Sequence, residues 1–396
     1  MRGVPEVVLI SLLCSLALAG DAGTVGFGPK GFTISDASGN NFVNFGLNLQ
    51  PRMSATFNGD PDATDAELLS DTGFRIRRAL FLVNGTLAGR VDYRFRFDAA
   101  KTVEVLDSGG KATAAAKAIL DDAQVIFRIS TPFEIAMGQW KVPFTASQVT
   151  SDFNMLFPER AMPVEGFKYG DIKVSGFGWS REAGAAVLGS VAEKKLDYQV
   201  GIFNGNGTNV WPPPDSGPLV VVRLHAAPLG EMKYDEADMD HGKFRVALGT
   251  GAAMNFTPTY KDNGSKIGDT RDLRINTELR VAVRGLTLQS ELLYGQIFAA
   301  EGDNPAPSLG AYAQVGYVIP VGVAPAFRWS RLDPSLEEDG DGLTQLEGAV
   351  SWYLPGAKKT HLGHKVKLIG AWTTTLLDEA DHPVNHTAML SGVISF

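Results

Sequence analysis

The sequence predicts an all-β chain, a transmembrane antiparallel β-barrel of about 16 strands. Three observations carry that expectation. Apolar and polar residues alternate with period 2 in short stretches from Phe42 to the end of the chain, which is the strand signature and not the helical one. The polar faces of those stretches are charged in strand after strand, whereas a helix-free soluble sandwich this long should hold some strands buried on both sides and many with few ionisable residues, so a water-filled lumen fits them better. Outside residues 4–19 no apolar run approaches the roughly 20 residues a membrane helix needs, so helical spans are excluded.

Composition agrees. A chain of 396 residues would usually divide into two or three domains, yet neither a composition shift nor a Pro/Ser-rich linker marks a joint. A single closed sheet accounts for that. The formal charge of −8 argues against a nucleic-acid partner, since tracking phosphates calls for a basic balance. Cys14 is the only cysteine, so disulfides and zinc–thiolate sites are excluded.

Residues 1–19 read as a signal peptide. Arg2 supplies a basic start, the run from Val7 to Leu18 a short apolar region, and Ala17 and Ala19 the small residues before a cleavage point. A lipoprotein signal with Cys14 as the lipidated residue is the alternative, and Leu13 before it fits poorly. Export places the chain in the bacterial envelope. A short N-terminal segment, 20–41, precedes the barrel at 42–396.

Within the barrel the clearest strand is Val91–Asp98, with Val91, Tyr93, Phe95 and Phe97 on one face and Asp92, Arg94, Arg96 and Asp98 on the other. Candidate strands lie near 42–54, 73–87, 90–100, 119–130, 132–142, 173–180, 182–190, 195–204, 218–227, 243–253, 270–284, 285–297, 309–319, 323–332, 343–354, 364–375 and 386–396. That makes seventeen, and because bacterial barrels have even counts, one of 173–180 and 182–190 is expected to be loop. Sixteen strands leave roughly 22 residues for each strand and its connection, which suits strands of about 9–11 residues crossing a bilayer. Phe42, Tyr93, Tyr198, Trp329, Trp352 and Trp372 end the apolar faces as interface aromatics would. The last strand runs Ala388, Leu390, Gly392, Ile394, Phe396 on one face, which resembles the terminal signal for barrel insertion.

With these residues in view the chain resembles the phosphate-selective porin O and P family. The matching segments are Arg75–Leu80, Met137–Phe144 running into Thr150-Ser-Asp, Phe157–Arg160, Tyr198–Gly205, Gly285–Glu291 and Ser351–Leu354. The resemblance implies a sixteen-stranded trimeric porin with an inward-folded constriction loop, which here would be about 143–171. The helical coiled coil that starts some members has no counterpart.

A pore selects by width, wall charge and hydrogen-bond donors. Alternation puts Arg52, Arg75, Arg77, Arg94, Arg96, Arg128, Arg223, Arg245, Arg274, Arg280, Arg284, Arg328 and Lys367 on the inner wall. Opposed to them are Asp92, Asp98, Asp122, Glu134, Asp197, Glu278, Glu291 and Glu347. The wall is thus basic although the chain is acidic, the negative excess lying in the runs Asp60–Asp71, Asp235–Asp240, Glu337–Asp341 and Asp378–Asp381. Guanidinium forks suit phosphate or carboxylate. Arg75, Arg77, Arg94, Arg96 and Arg128 therefore form a candidate ladder for small anions such as phosphate, with Lys141 and Arg160 at the narrowest point. The competing reading is that inward Arg and Asp pair across strands in a non-selective porin. Arg78 falls on the lipid face by strict alternation, so it either snorkels or marks a bulge.

Other signals carry less. Glu337-Glu-Asp-Gly-Asp-Gly342 starts like a calcium loop, but position 12 is Gly348, and it reads as a solvated loop or a divalent bridge to lipopolysaccharide. His361, His364, His382 and His386 lack companion ligands, so neither a metal nor a cofactor is expected. Gly26-Phe-Gly28 lacks a nucleotide fingerprint's setting. No nucleophile and base share a rim, which argues against an enzyme. A structural or adhesive barrel without channel activity stays open as the other class. Outer-membrane lipid and lipopolysaccharide are the expected surroundings.

Overall fold

The computed structural model describes residues 23–28, 31–59, 71–106, 112–116, 119–169, 171–212, 215–261, 264–354, 366–380 and 383–396. The expected signal peptide, Cys14, most of the Asp60–Asp71 run, His361, His364 and His382 lie outside them.

The chain opens with a hairpin, β1 (Thr24–Gly28) and β2 (Gly31–Ser35). The barrel begins with β3 (Phe42–Asn58), β4 (Asp71–Leu87) and β5 (Val91–Asp98). A small hairpin, β6 (Thr102–Leu106) and β7 (Ala112–Ala116), leads to β8 (Ile119–Ser130) and β9 (Phe133–Lys141). The connection that follows holds two single-turn helices, α1 (Ala146–Val149) and α2 (Met162–Glu165), and a hairpin of β10 (Gly166–Tyr169) and β11 (Ile172–Ser175). Then come β12 (Arg181–Val191), β13 (Leu196–Phe203), β14 (Leu219–Ala226), β15 (Arg245–Tyr260), β16 (Lys266–Val283) and β17 (Leu286–Phe298). The last five are β18 (Ser308–Tyr317), β19 (Val323–Asp333), β20 (Leu343–Tyr353), β21 (Val366–Leu377) and β22 (Asn385–Ser395).

Sixteen of these close into one antiparallel barrel, because β22 pairs with β3 from Asn385↔Asn58 to Ser395↔Asn48 and β9 pairs with β12. Closure matters in a bilayer, where an unpaired edge would leave backbone groups with no partner. Of the two doubtful segments, 182–190 is the barrel strand. The 173–180 stretch is not, since Ile172–Ser175 pairs only with Gly166–Tyr169. Residues 24–28 and 31–35 also form strands, β2 extending the sheet along Phe42–Phe45 of β3.

Alternation is plain along β14, where Leu219, Val221, Arg223 and His225 are buried while Val220, Val222 and Leu224 are exposed on the outside. Trp329, Trp352 and Trp372 are exposed as well. A turn at Arg284-Gly285 joins β16 and β17 with both residues at positive φ, 48° and 91°. Arg284, expected on the inner wall, is exposed in that turn. Gly285 is required there twice over: its φ is open to glycine, and a Cβ would sit 2.9 Å from the His241 ring and from the Val318 carbonyl.

Arg78 is resolved by a bulge. Gln50 faces Arg78, but Pro51 faces Ile76, so Arg77 is the extra residue. Pro51 has no N–H to give to a ladder and sits at the irregularity, where its loss costs least. The inserted residue returns Arg78 to the inner face, where it is buried, donates to Gln50 at 2.6 Å and lies 3.3 Å from Asp152.

The inner face is only partly wet. Phe144, Met162, Val164 and Phe177 of the 142–180 connection form one apolar cluster with Phe203, Leu219, Val221, Leu293 and Tyr312 of the strands. Phe153, Leu156 and Phe157 form a second with Ala324, Tyr353, Ile369 and Val393. Each fully buried Phe or Leu is worth about 1.5–3 kcal/mol relative to exposure. Inner residues on β13–β22 that strand phase alone assigns to lumen water are therefore in part packed.

Candidate permeation site

Two carboxylates of the 142–180 connection gather the basic residues. Glu159 accepts from Arg77 Nε at 2.8 Å, is ion-paired with Arg52, and lies 3.8 Å from Arg78. Asp152, nearly fully buried, is ion-paired with Arg160 and lies 3.3 Å from Arg78 and from Arg96 and 3.9 Å from Lys141. Burial alone would raise the Asp152 carboxyl, but Arg160, Arg78, Lys141 and Arg96 together hold it well below the usual range. Burial would raise Glu159 too, and Arg77, Arg52 and Arg78 outweigh it. On the neighbouring strands Arg181 Nε donates to Asp122 at 2.6 Å, and Asp121 lies 3.3 Å from Arg181 and 3.6 Å from Arg96.

Local geometry fixes the connection's shape. Thr145 caps α1 by accepting from the Gln148 N–H at 3.0 Å. Glu291 of β17 accepts from the Ala146 and Ser147 N–H groups at 2.9 and 2.7 Å. Arg160 donates back to the Ser147 and Thr150 carbonyls at 2.9 and 2.8 Å. Farther round the barrel Arg52 donates to the Pro158 carbonyl, Arg328 to that of Glu159, and Lys367 to that of Met155.

Two cavities flank this cluster and share Arg96 and Lys141. The smaller, about 580 Å³, is lined by eight Lys or Arg side chains and four carboxylates, among them Arg75, Arg77, Arg160 and Arg181. The larger, about 1130 Å³, has seven against four, including Arg90, Arg94, Arg128 and Arg223. A third, about 650 Å³, again touches Arg94 and Arg128.

The sequence-derived residues thus separate by role. Arg75 and Arg94 are exposed, and neither has a carboxylate within 4 Å among the described residues. Arg77, Arg96 and Arg160 line the smaller cavity but are bound by Glu159 or Asp152. Arg128 lies 3.2 Å from Asp92 and donates to the Gly89 carbonyl, while Lys141 donates to the Thr150 carbonyl at 3.1 Å. Arg223 grips Glu278 through Nη2 at 2.8 and 2.6 Å and donates to the Phe144 carbonyl. The remaining four line none of the three cavities. Arg245 pairs with Asp238 at 2.5 Å, and Arg274 pairs with Asp272 and stacks on Trp179 at 4.1 Å. Arg280 donates to the Asp235 carbonyl at 3.0 Å, and Arg328 pairs with Glu347 and lies over Phe157 at 4.2 Å.

Sequence reasoning missed Arg90, Arg181, Asp121, Asp152 and Glu159, and left Arg78 open between snorkelling and a bulge. The two loop carboxylates stand inside Thr150-Ser-Asp and Phe157-Pro-Glu-Arg, segments quoted for their resemblance but not for their charge.

A closed sixteen-strand barrel with a charged interior and an apolar exterior defines an outer-membrane channel of the porin type. The chain belongs to the phosphate-selective porin O and P family, whose profile matches residues 47–355. Solved structures agree in fold. OprB of Pseudomonas putida superimposes with a TM-score of 0.55 at 10% identity, over 89% of this chain and 94% of that one. The outer-membrane channel DcaP of Acinetobacter baumannii gives 0.54 at 10%, over 91% and 99%. OmpT of Vibrio cholerae, an outer-membrane protein solved in a trimer form, gives 0.54 at 8%, over 89% and 99%. No curated protein sequence matches the chain.

Proposed function

We propose that this protein is an outer-membrane diffusion channel that prefers small anions, phosphate among them, and that the connection spanning about 143–171 is the constriction loop of its lumen. The observation that carries the reading is the basic excess around both cavities, which meet at Arg96 and Lys141. Fixed positive charge on a low-dielectric wall raises the local anion concentration and lowers the barrier to anion entry. Arg75 and Arg94, lacking carboxylate partners, contribute to that field together with Arg90 and Lys194, while Arg77, Arg96, Arg128 and Arg160 shape the passage in paired form. Cleavage of residues 1–19 on export, assembly as a homotrimer, and contact with outer-membrane lipid and lipopolysaccharide belong to the same reading.

A non-selective porin is the second reading, and a specific observation favours it: the guanidinium groups around Asp152 and Glu159 are already carboxylate-bound. Planar-bilayer reversal potentials in a KCl gradient separate the two. An anion preference supports the first, a potential near zero the second, and a cation preference overturns the arginine wall altogether. Stable single-channel steps are expected of either; a barrel serving only as a structural or adhesive anchor would give none.

A further inference from the structure

Porin strands at the turn end of a barrel are usually joined by a few residues. Here Thr131–Pro132 and Arg284-Gly285 are such joints, but at the same end β14 and β15 are separated by residues 227–244. That stretch is not a solvated excursion: Glu236, Ala237 and Asp238 are buried to 5% exposure or less. Its middle is pinned to the barrel, because Asp238 accepts from the Gly285 N–H at 2.8 Å and pairs with Arg245, and Thr287 donates to the Glu236 carbonyl at 2.7 Å.

Its tip meets the connection that comes from the opposite end. The Glu236 N–H donates to the Asn154 carbonyl at 3.1 Å, and the Glu236 carboxylate accepts from the Leu156 N–H at 2.8 Å. The Asn154 side chain donates to Asp235, and Ala237 joins the cluster of Phe153, Leu156 and Phe157. Tyr234 and Glu231 meanwhile line the larger cavity.

We propose that residues 227–244 are a second narrowing element, entering from the turn end, and that Glu236 is the positioning residue that holds the 153–157 tip and so sets the passage width. The proposal rests on the channel reading above. Two segments anchored at opposite ends and joined by a two-bond clasp, one bond between backbones and one to the Glu236 carboxylate, cannot drift independently. The passage is thereby confined to the side bounded by β3–β5, β8, β9 and β12–β14, where the cavities lie.

The test uses the full chain in planar bilayers. Glu236→Ala removes the acceptor for the Leu156 N–H, and Glu236→Gln keeps one. Conductance or open-state flicker should rise about twofold in the alanine variant, since flux follows pore width, and stay near the parent in the glutamine variant. Parent-like traces from the alanine variant would overturn the proposal. Should that variant not assemble, a chain carrying Asn154→Cys and Asp235→Cys decides: a crosslink that forms on oxidation and quiets the flicker supports the clasp, and a missing crosslink, or equal noise oxidised and reduced, overturns it. If the parent itself does not conduct, the channel reading fails, while crosslinking still reports on the contact.

Discussion

Arg94 and Arg96 stand two residues apart on the same face of β5, yet only Arg96 is carboxylate-bound, with Asp152 at 3.3 Å and Asp121 at 3.6 Å. Arg94 is exposed and its charge is unspent. The two should therefore respond differently to the same substitution. Arg94→Gln is expected to weaken anion preference with less than about 0.5 kcal/mol lost from barrel stability, as for a surface change. Arg96→Gln leaves Asp152 and Asp121 short of a buried partner and should cost about 1–3 kcal/mol. Reversal potentials together with urea unfolding in detergent check both, and equal effects would contradict the assignment.

Arg78 gives a test of the bulge. An arginine on the lipid face would be improved by leucine, because charge in the hydrocarbon region is penalised. Arg78→Leu is instead expected to destabilise the barrel by about 1–3 kcal/mol, because Asp152 and Gln50 each lose a close buried partner while Asp152 keeps Arg160. Heat-modifiability on gels reports the direction directly.

Salt should erode the selectivity. Exposed charges such as Arg75 and Arg94 act through water, where the screening length falls from about 10 Å at 0.1 M to about 3 Å at 1 M. Anion preference measured across a gradient of the same ratio should shrink as the absolute concentration rises. A preference that does not change would point to a tight site at the paired cluster.

Acid has a definite sign at the loop carboxylates. Asp152 is held below its ordinary value of 3.8, so it stabilises the fold above that value, and the contribution is lost only as pH falls further. Burial pushes Asp235 up, so the folded form takes up its proton more readily than the unfolded chain, and falling pH favours the fold. Neither group loosens the packing between pH 7 and 5. Channel noise should be no greater at pH 5, and a rise that Asp235→Asn abolishes would reverse that sign.

Period-2 alternation determined the barrel and most strand positions, because side-chain direction along a strand follows from position alone, and the even count of bacterial barrels reduced seventeen candidates to sixteen. The same alternation put Arg94, Arg96, Arg128 and Arg223 on the inner face, and all four line the larger cavity. It failed where local pattern does not report the partner. Ile172–Ser175 alternates like a barrel strand but pairs within its own hairpin, and for Arg78 the pattern left snorkelling and a bulge open until the inserted residue at Arg77 decided for the bulge.

Which inner arginines keep a free charge was decided only by tertiary structure. Asp152 and Glu159 reach Arg96 and Arg77 across 56 and 82 residues of chain, and Glu236 meets Leu156 across 80. Alternation fixes the face a side chain points from. What it points at is set by long-range packing, in which the buried charges of one connection must find counter-charges on whichever strands closure brings near.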